Sequence, residues 1–141
     1  MSSSVGLRIH WAEKYLTYLL GLRSAFPQSS HMPSALTDKV KDTIQTAYRT
    51  WLESRDFKPR RGQREMIAQI ARTLAGDGDR VAVVEAGTGT GKTAAYCLAA
   101  IPVAQSLGKT VVLSTATVAL QEQVVLQDLP DIKERAGLSF S

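Results

Sequence analysis

The chain has 141 residues, long enough for one domain with a hydrophobic core of its own. Hydrophobic residues make up 44% and charged residues 21%, which excludes a fibrous or strongly charged disordered chain. Seventeen Lys and Arg against thirteen Asp and Glu leave +4, a mild lean toward polyanions, and the single cysteine, Cys97, excludes an internal disulfide and a self-sufficient cysteine metal cluster.

With no disulfide to maintain, a reducing, cytoplasmic location is the expectation. No apolar run approaches the roughly 20 residues that span a bilayer, so no membrane role is expected. Residues 15–22 are an apolar patch after Arg8 and Lys14, but the run is short, follows Glu13 and lacks a small-x-small cleavage site. Residues 11–23 suit one short helix, and residues 26–34, rich in Pro and Ser, read as a linker. We therefore expect residues 1–31 to be an extension or linker outside the native domain, with Met32 as an alternative start. Residues 32–141 are the organised part.

Thr37 suits a helix N-cap, with Asp38 in the first turn. Val40, Ile44, Ala47 and Trp51 recur at helical spacing and predict an amphipathic helix of about four turns, to Ser54. Lys39, Lys41 and Arg49 fall off that stripe, as a solvated face would. A loop broken by Pro59 and Gly62 leads to a second helix, with Met66, Ile67, Ile70, Ala71 and Leu74 on one side. The Gly-Asp-Gly-Asp cluster at 76–79 ends it.

Residues 80–85 then form a β-branched apolar run that suits a strand buried on both faces. The segment from Ala86 to Thr93 (Ala86, Gly87, Thr88, Gly89, Thr90, Gly91, Lys92, Thr93) matches the phosphate-binding loop pattern. Its glycines open backbone angles closed to other residues and leave no Cβ between main chain and phosphate. The loop N–H groups converge on phosphate oxygens beside the positive end of the next helix. Lys92 supplies a charge for the β- and γ-phosphates, and the Thr93 hydroxyl a ligand for Mg²⁺.

A helix of about fifteen residues should start at Lys92, with Pro102 kinking or ending it early. Residues 109–114 read as a second buried strand, and 118–126 as a helix that the segment 128–131 interrupts. A short helical piece to Ala136 follows. Strand, helix and strand in this order predict a right-handed parallel βαβ unit. Two strands are fewer than a parallel sheet usually needs, so the core reads as unfinished. Hydrolysis also needs an acid at the end of another strand and an arginine. Asp77 and Asp79 suit turn chemistry, and Asp128 and Asp131 follow a helix, so none fits that role.

Taken together, Phe57-x-x-Arg60-x-x-Gln63-x-x-Met66, the loop to Thr93 and residues 113–123 (LSTATVALQEQ) resemble the start of a DinG-type DNA helicase. These are superfamily-two, XPD-like iron–sulphur helicases, and the resemblance covers residues 32–141. It implies an α/β fold: part of a P-loop (RecA-like) motor domain with a parallel βαβ core, preceded by two helices and the extension. It implies ATP and Mg²⁺ as cofactors, with Lys92 and Thr93 as the Walker A lysine and metal ligand. Gln63 would read the adenine edge as the Q motif, with Arg60 supporting it and Phe57 beside the base. Residues 114–123 would be motif Ia, with Thr115, Ala116, Thr117 and Gln123 on single-stranded DNA. Gln63 alone also suits an exposed first helical turn, and Thr115 and Thr117 also suit helix caps.

The family's cluster cysteines, its Asp-Glu-x-His box and its second motor domain are not among these residues, and Gly62 stands where proline is more usual. The expectation is therefore the N-terminal portion of a 5′-to-3′ DNA helicase of repair or replication, monomeric, with an iron–sulphur cluster only in the parent. Alone it should be catalytically incompetent. Two other readings stay open: a shortened P-loop NTPase of another class, and a non-enzymatic module that binds nucleotide or nucleic acid.

Overall fold

Each of the three long helices begins where the sequence supplies a cap or a turn. The computed structural model describes residues 5–6, 35–77, 79–87 and 89–141. The helix and linker expected within 1–31, apart from Val5 and Gly6, lie outside the described residues, as does Thr88 of the phosphate loop. Strand β1 is Val5–Gly6 and helix α1 is Asp38–Glu53. Thr37 caps α1, accepting a hydrogen bond from the Val40 N–H at 3.4 Å. Helix α2, Arg61–Ala75, ends at Gly76, whose φ of 84° is the left-handed angle that glycine adopts freely. Helix α3, Lys92–Ser106, follows the phosphate loop. Strand β2 is Val111–Val112, helix α4 is Val118–Gln123 and helix α5 is Leu129–Arg135.

Helix α3 is the centre of the core. Its residues 97–103 are all buried, so it is apolar around its circumference rather than along one stripe. Helix α2 packs along it through Met66, Ile67, Ile70 and Ala71. Helix α1 covers it with Ile44, Ala47, Tyr48 and Trp51, and α5 adds Ile132.

Three expectations need correction or narrowing. Helix α3 runs through Pro102 to Ser106. Proline removes one backbone N–H, but burial of every residue from 97 to 103 outweighs that loss. The segment 128–131 does not interrupt the fourth helical region. A π-helical turn, Val124–Asp128, joins α4 to α5, and Pro130 falls in the first turn of α5, where its missing N–H costs nothing. The third concerns the sheet. Among the described residues the ladder is parallel, Val5 to Val111 and Gly6 to Val112. The run 80–85 forms no ladder there, so the parallel βαβ core is not seen as such. Its side chains still alternate between exposed and partly covered, as do those of 110–115, with period two. Val83 stands 80% exposed while Val84 packs against the core.

Candidate nucleotide site

The phosphate loop spans the gap between residue 86 and the first turn of α3. Gly89 and Gly91 both take φ of 73°, a left-handed angle that lets the chain double back before the helix. The turn before α2 grips this loop from one side. Arg60 NH1 donates to the Gly89 carbonyl at 3.0 Å, and Gln63 Nε2 donates to the carbonyls of Thr90 and Gly91 at 3.4 and 3.3 Å. A planar trans peptide sets each N–H opposite its carbonyl. The N–H groups of Thr90, Gly91 and Lys92 therefore face away from Arg60 and Gln63, toward the side where a phosphate would lie.

Gln63 is 8% exposed. Its Oε1 accepts from the Tyr48 hydroxyl at 2.9 Å, and that hydroxyl oxygen in turn accepts from the Arg60 N–H at 3.4 Å. The amide orientation is thus fixed from both ends. A side-chain amide offers two donors and two lone pairs; the loop carbonyls engage both donors and Tyr48 one lone pair, so one lone pair on Oε1 is left for a ligand.

Lys92 Nζ donates to the carbonyls of Ala86 and Gly87, at 2.9 and 2.7 Å. Thr90 Oγ1 closes the loop on the Gly87 carbonyl at 2.9 Å. The Thr93 hydroxyl stands near Asp128, from the π-helical turn, and near Tyr96. Burial raises the Asp128 carboxyl, and the polar groups of Thr93 and Gln123 beside it pull the other way. Burial likewise raises Tyr96 and pushes the Cys97 thiol up to about 12, with the nearby Asp128 charge adding to it. Cys97 is a buried, neutral packing residue.

These features fit a nucleotide triphosphate with its Mg²⁺. The loop N–H groups face one side, a cation rests on carbonyls at its mouth, and a hydroxyl beside a carboxylate opens the helix. Among the described residues no group of three or more His, Cys, Asp or Glu is placed to hold a metal ion, and no helix is long and apolar enough to cross a membrane.

Phe57 precedes this grip. It is 49% exposed and meets the Trp51 ring edge-on, with centroids 5.9 Å apart and planes at 77°. On the far side of the chain, Thr117 caps α4 by accepting from the Leu120 N–H at 3.2 Å, and Thr115 Oγ1 donates to the Thr117 carbonyl at 3.0 Å. Ala116 is exposed, and Gln123 Nε2 reaches Asp128 Oδ2 at 3.5 Å. The structure thus brings Arg60 and Gln63 onto residues 89–91 and closes Lys92 on residues 86 and 87, and it puts Gln123 against Asp128, the neighbour of Thr93. Sequence reading missed Tyr48, although it lies four residues after Ile44 on the buried stripe. Asp128, set aside because it follows a helix, stands beside Thr93.

A glycine loop closed on its lysine, opening a helix and held by an upstream glutamine and arginine, defines a P-loop nucleotide-binding protein. The family that matches residues 60–138 is the DEAD/DEAH box helicase, and the chain belongs to it. Among its relatives, the ATP-dependent DNA helicase DinG of Escherichia coli (strain K12) is 46% identical over 101 residues, 71% of this chain and 14% of the relative. DinG of Salmonella typhimurium (strain LT2) has the same identity and coverage. DinG of Photobacterium profundum is 46% identical over 99 residues, 67% of this chain and 14% of its own. The chain thus spans about a seventh of the length of the relatives it matches.

Proposed function

We propose that this chain is the ATP-binding N-terminal part of the first motor domain of a DinG-like ATP-dependent DNA helicase. The observation that carries the reading is the grip of Arg60 and Gln63 on the phosphate loop, because it ties a base-side segment to the phosphate side through direct hydrogen bonds. On nucleotide binding, Lys92 leaves the Ala86 and Gly87 carbonyls for the β- and γ-phosphates. Thr93, beside Asp128, would hold the Mg²⁺, and the metal would supply charge neutralisation at the phosphates. Gln63 meets the adenine edge, beside Phe57, with its free Oε1 lone pair and with an Nε2 hydrogen that exchanges a loop carbonyl for the base. In the parent, residues 80–85 and 109–114 become neighbouring strands of a parallel sheet. Thr115, Ala116, Thr117 and Gln123 contact single-stranded DNA, whose phosphates suit the N–H groups at the start of α4. The parent couples ATP hydrolysis to 5′-to-3′ movement in repair or replication, and works as a cytoplasmic monomer. The 141-residue chain itself binds nucleotide weakly and does not turn it over, since hydrolysis needs an acid and an arginine from elsewhere.

Gln63→Ala tests this reading. It should weaken ATP binding and leave GTP binding nearly unchanged, read by NMR titration of the chain. Equal loss for both nucleotides would instead make Gln63 purely a support for the loop, a role that its burial and its bonds to Thr90 and Gly91 favour as the second reading.

A further inference from the structure

Asp131 lies far in sequence from the loop and belongs to no motif, yet three side chains converge on it. Its Oδ1 accepts from Arg55 NH2 at 2.7 Å and from Arg135 Nε at 2.8 Å, and its Oδ2 accepts from Trp51 Nε1 at 3.1 Å. Its side chain is only 18% exposed. Arg135 reaches back to the Ser54 carbonyl at 3.3 Å, fastening α5 to the end of α1. The Arg55 guanidinium carbon then lies 5.5 Å from the Trp51 ring centre and 5.6 Å from that of Phe57. Phe57 is therefore leaned on by two groups, Trp51 at its edge and Arg55 over its ring, and both are bound to one carboxylate. The rest of the Phe57 ring faces solvent.

An exposed ion pair would contribute little, because water screens it and two long side chains must be ordered. This carboxylate is largely covered, and it bonds an indole N–H as well as two guanidinium groups, so it fixes directions and not only charge. A half-exposed aromatic ring at the head of a loop otherwise samples several rotamers, and a ligand that stacks on it must pay for ordering it. The cluster removes that freedom beforehand.

We propose that Asp131 is a positioning residue for the base side of the nucleotide site: through Arg55 and Trp51 it presets the ring of Phe57 that meets the nucleobase. The proposal rests on the reading above that Phe57 lies beside adenine. It also makes the segment following α4 a part of the nucleotide site.

The test compares ATP with inorganic tripolyphosphate, which has the phosphates but no base, by NMR titration of the 141-residue chain. Phe57→Ala should lower ATP affinity about tenfold, the loss of one base–aromatic stack, and leave tripolyphosphate unchanged. Asp131→Asn should lower ATP affinity by about threefold, with tripolyphosphate again unchanged, and should add nothing in the Phe57→Ala background. Arg55→Gln, at a more exposed side chain, should behave the same way and decides the matter if Asp131→Asn unfolds. Equal losses for the two ligands in Asp131→Asn and Arg55→Gln would make the cluster a purely structural clamp and overturn the proposal. If Phe57→Ala weakens ATP while the other two variants do not, the proposal alone fails. If Phe57→Ala leaves ATP binding intact, or the unmodified chain binds neither ligand, the base-side reading fails and the proposal with it.

Discussion

Gly91 carries two constraints at once. Its φ is 73°, and a Cβ there would stand 2.5 Å from Gln63 Nε2, the end of an amide whose Oε1 is held by Tyr48. A side chain in the left-handed region costs about 1–2 kcal/mol before any clash. Gly91→Ala should therefore abolish triphosphate binding, whereas Gly62→Ala, with nothing within 4 Å of its Cβ, should leave it unchanged. Loss in both variants, read by the same titration, would contradict this account of the loop. Cys97 supplies a second residue-scale expectation. Its thiol, pushed by burial from 9.0 to about 12, should resist alkylation in the folded chain and react only as the chain unfolds. A folded value above the unfolded one gives a contribution fully present below the unfolded value and lost as pH climbs toward the folded one. Thermal stability should accordingly fall between about pH 9 and 12. At this scale the loop was legible because its chemistry is local: glycines, lysine and threonine at fixed spacing. Tyr48 and Asp131 were not, because Gln63 sits 15 residues from Tyr48 and Trp51 sits 80 from Asp131, and no spacing rule connects them.

Helix boundaries were legible wherever a cap or a glycine marked them, as at Thr37, Gly76 and Thr117. The proline rules misled, because a buried context overrides local propensity at Pro102 and a π-helical turn absorbs Pro130. Thr37→Ala should cost about 1 kcal/mol of stability by removing the α1 cap, measurable as a lower denaturant midpoint. The docking of α5 on α1 has a pH signature. Burial pulls the Asp131 carboxyl upward, but hydrogen bonds from Arg55 and Trp51, the Arg55 charge and the Arg135 hydrogen bond outweigh it and hold it below its ordinary value. A depressed carboxylate contributes stability above its unfolded value, near 3.9, that is lost as pH falls through the lower folded one. Asp131→Asn should therefore flatten the acid limb of the stability curve below about pH 4. An unchanged limb would mean that the cluster does not hold α5.

Across the described residues, the extended segments present apolar side chains to solvent: Val81, Val83 and Val112 are exposed, as are Val118, Leu120, Val125 and Leu126 around α4. A sequence that reads as buried on both faces meets a structure covered on one. The apolar pattern was legible in the sequence, but which side chains stay exposed was not. Exposed apolar side chains in this number favour self-association. Val83→Lys with Leu126→Lys should reduce association in sedimentation measurements and leave the melting temperature nearly unchanged. The central claim is that the chain holds one half of an ATP site, and amide NMR during ATP titration tests it most directly. The account predicts that the amides of Gly89 and Gly91 shift with ATP in the unmodified chain and do not shift in Lys92→Ala. Shifts that persist in Lys92→Ala, or none in the unmodified chain, would contradict it.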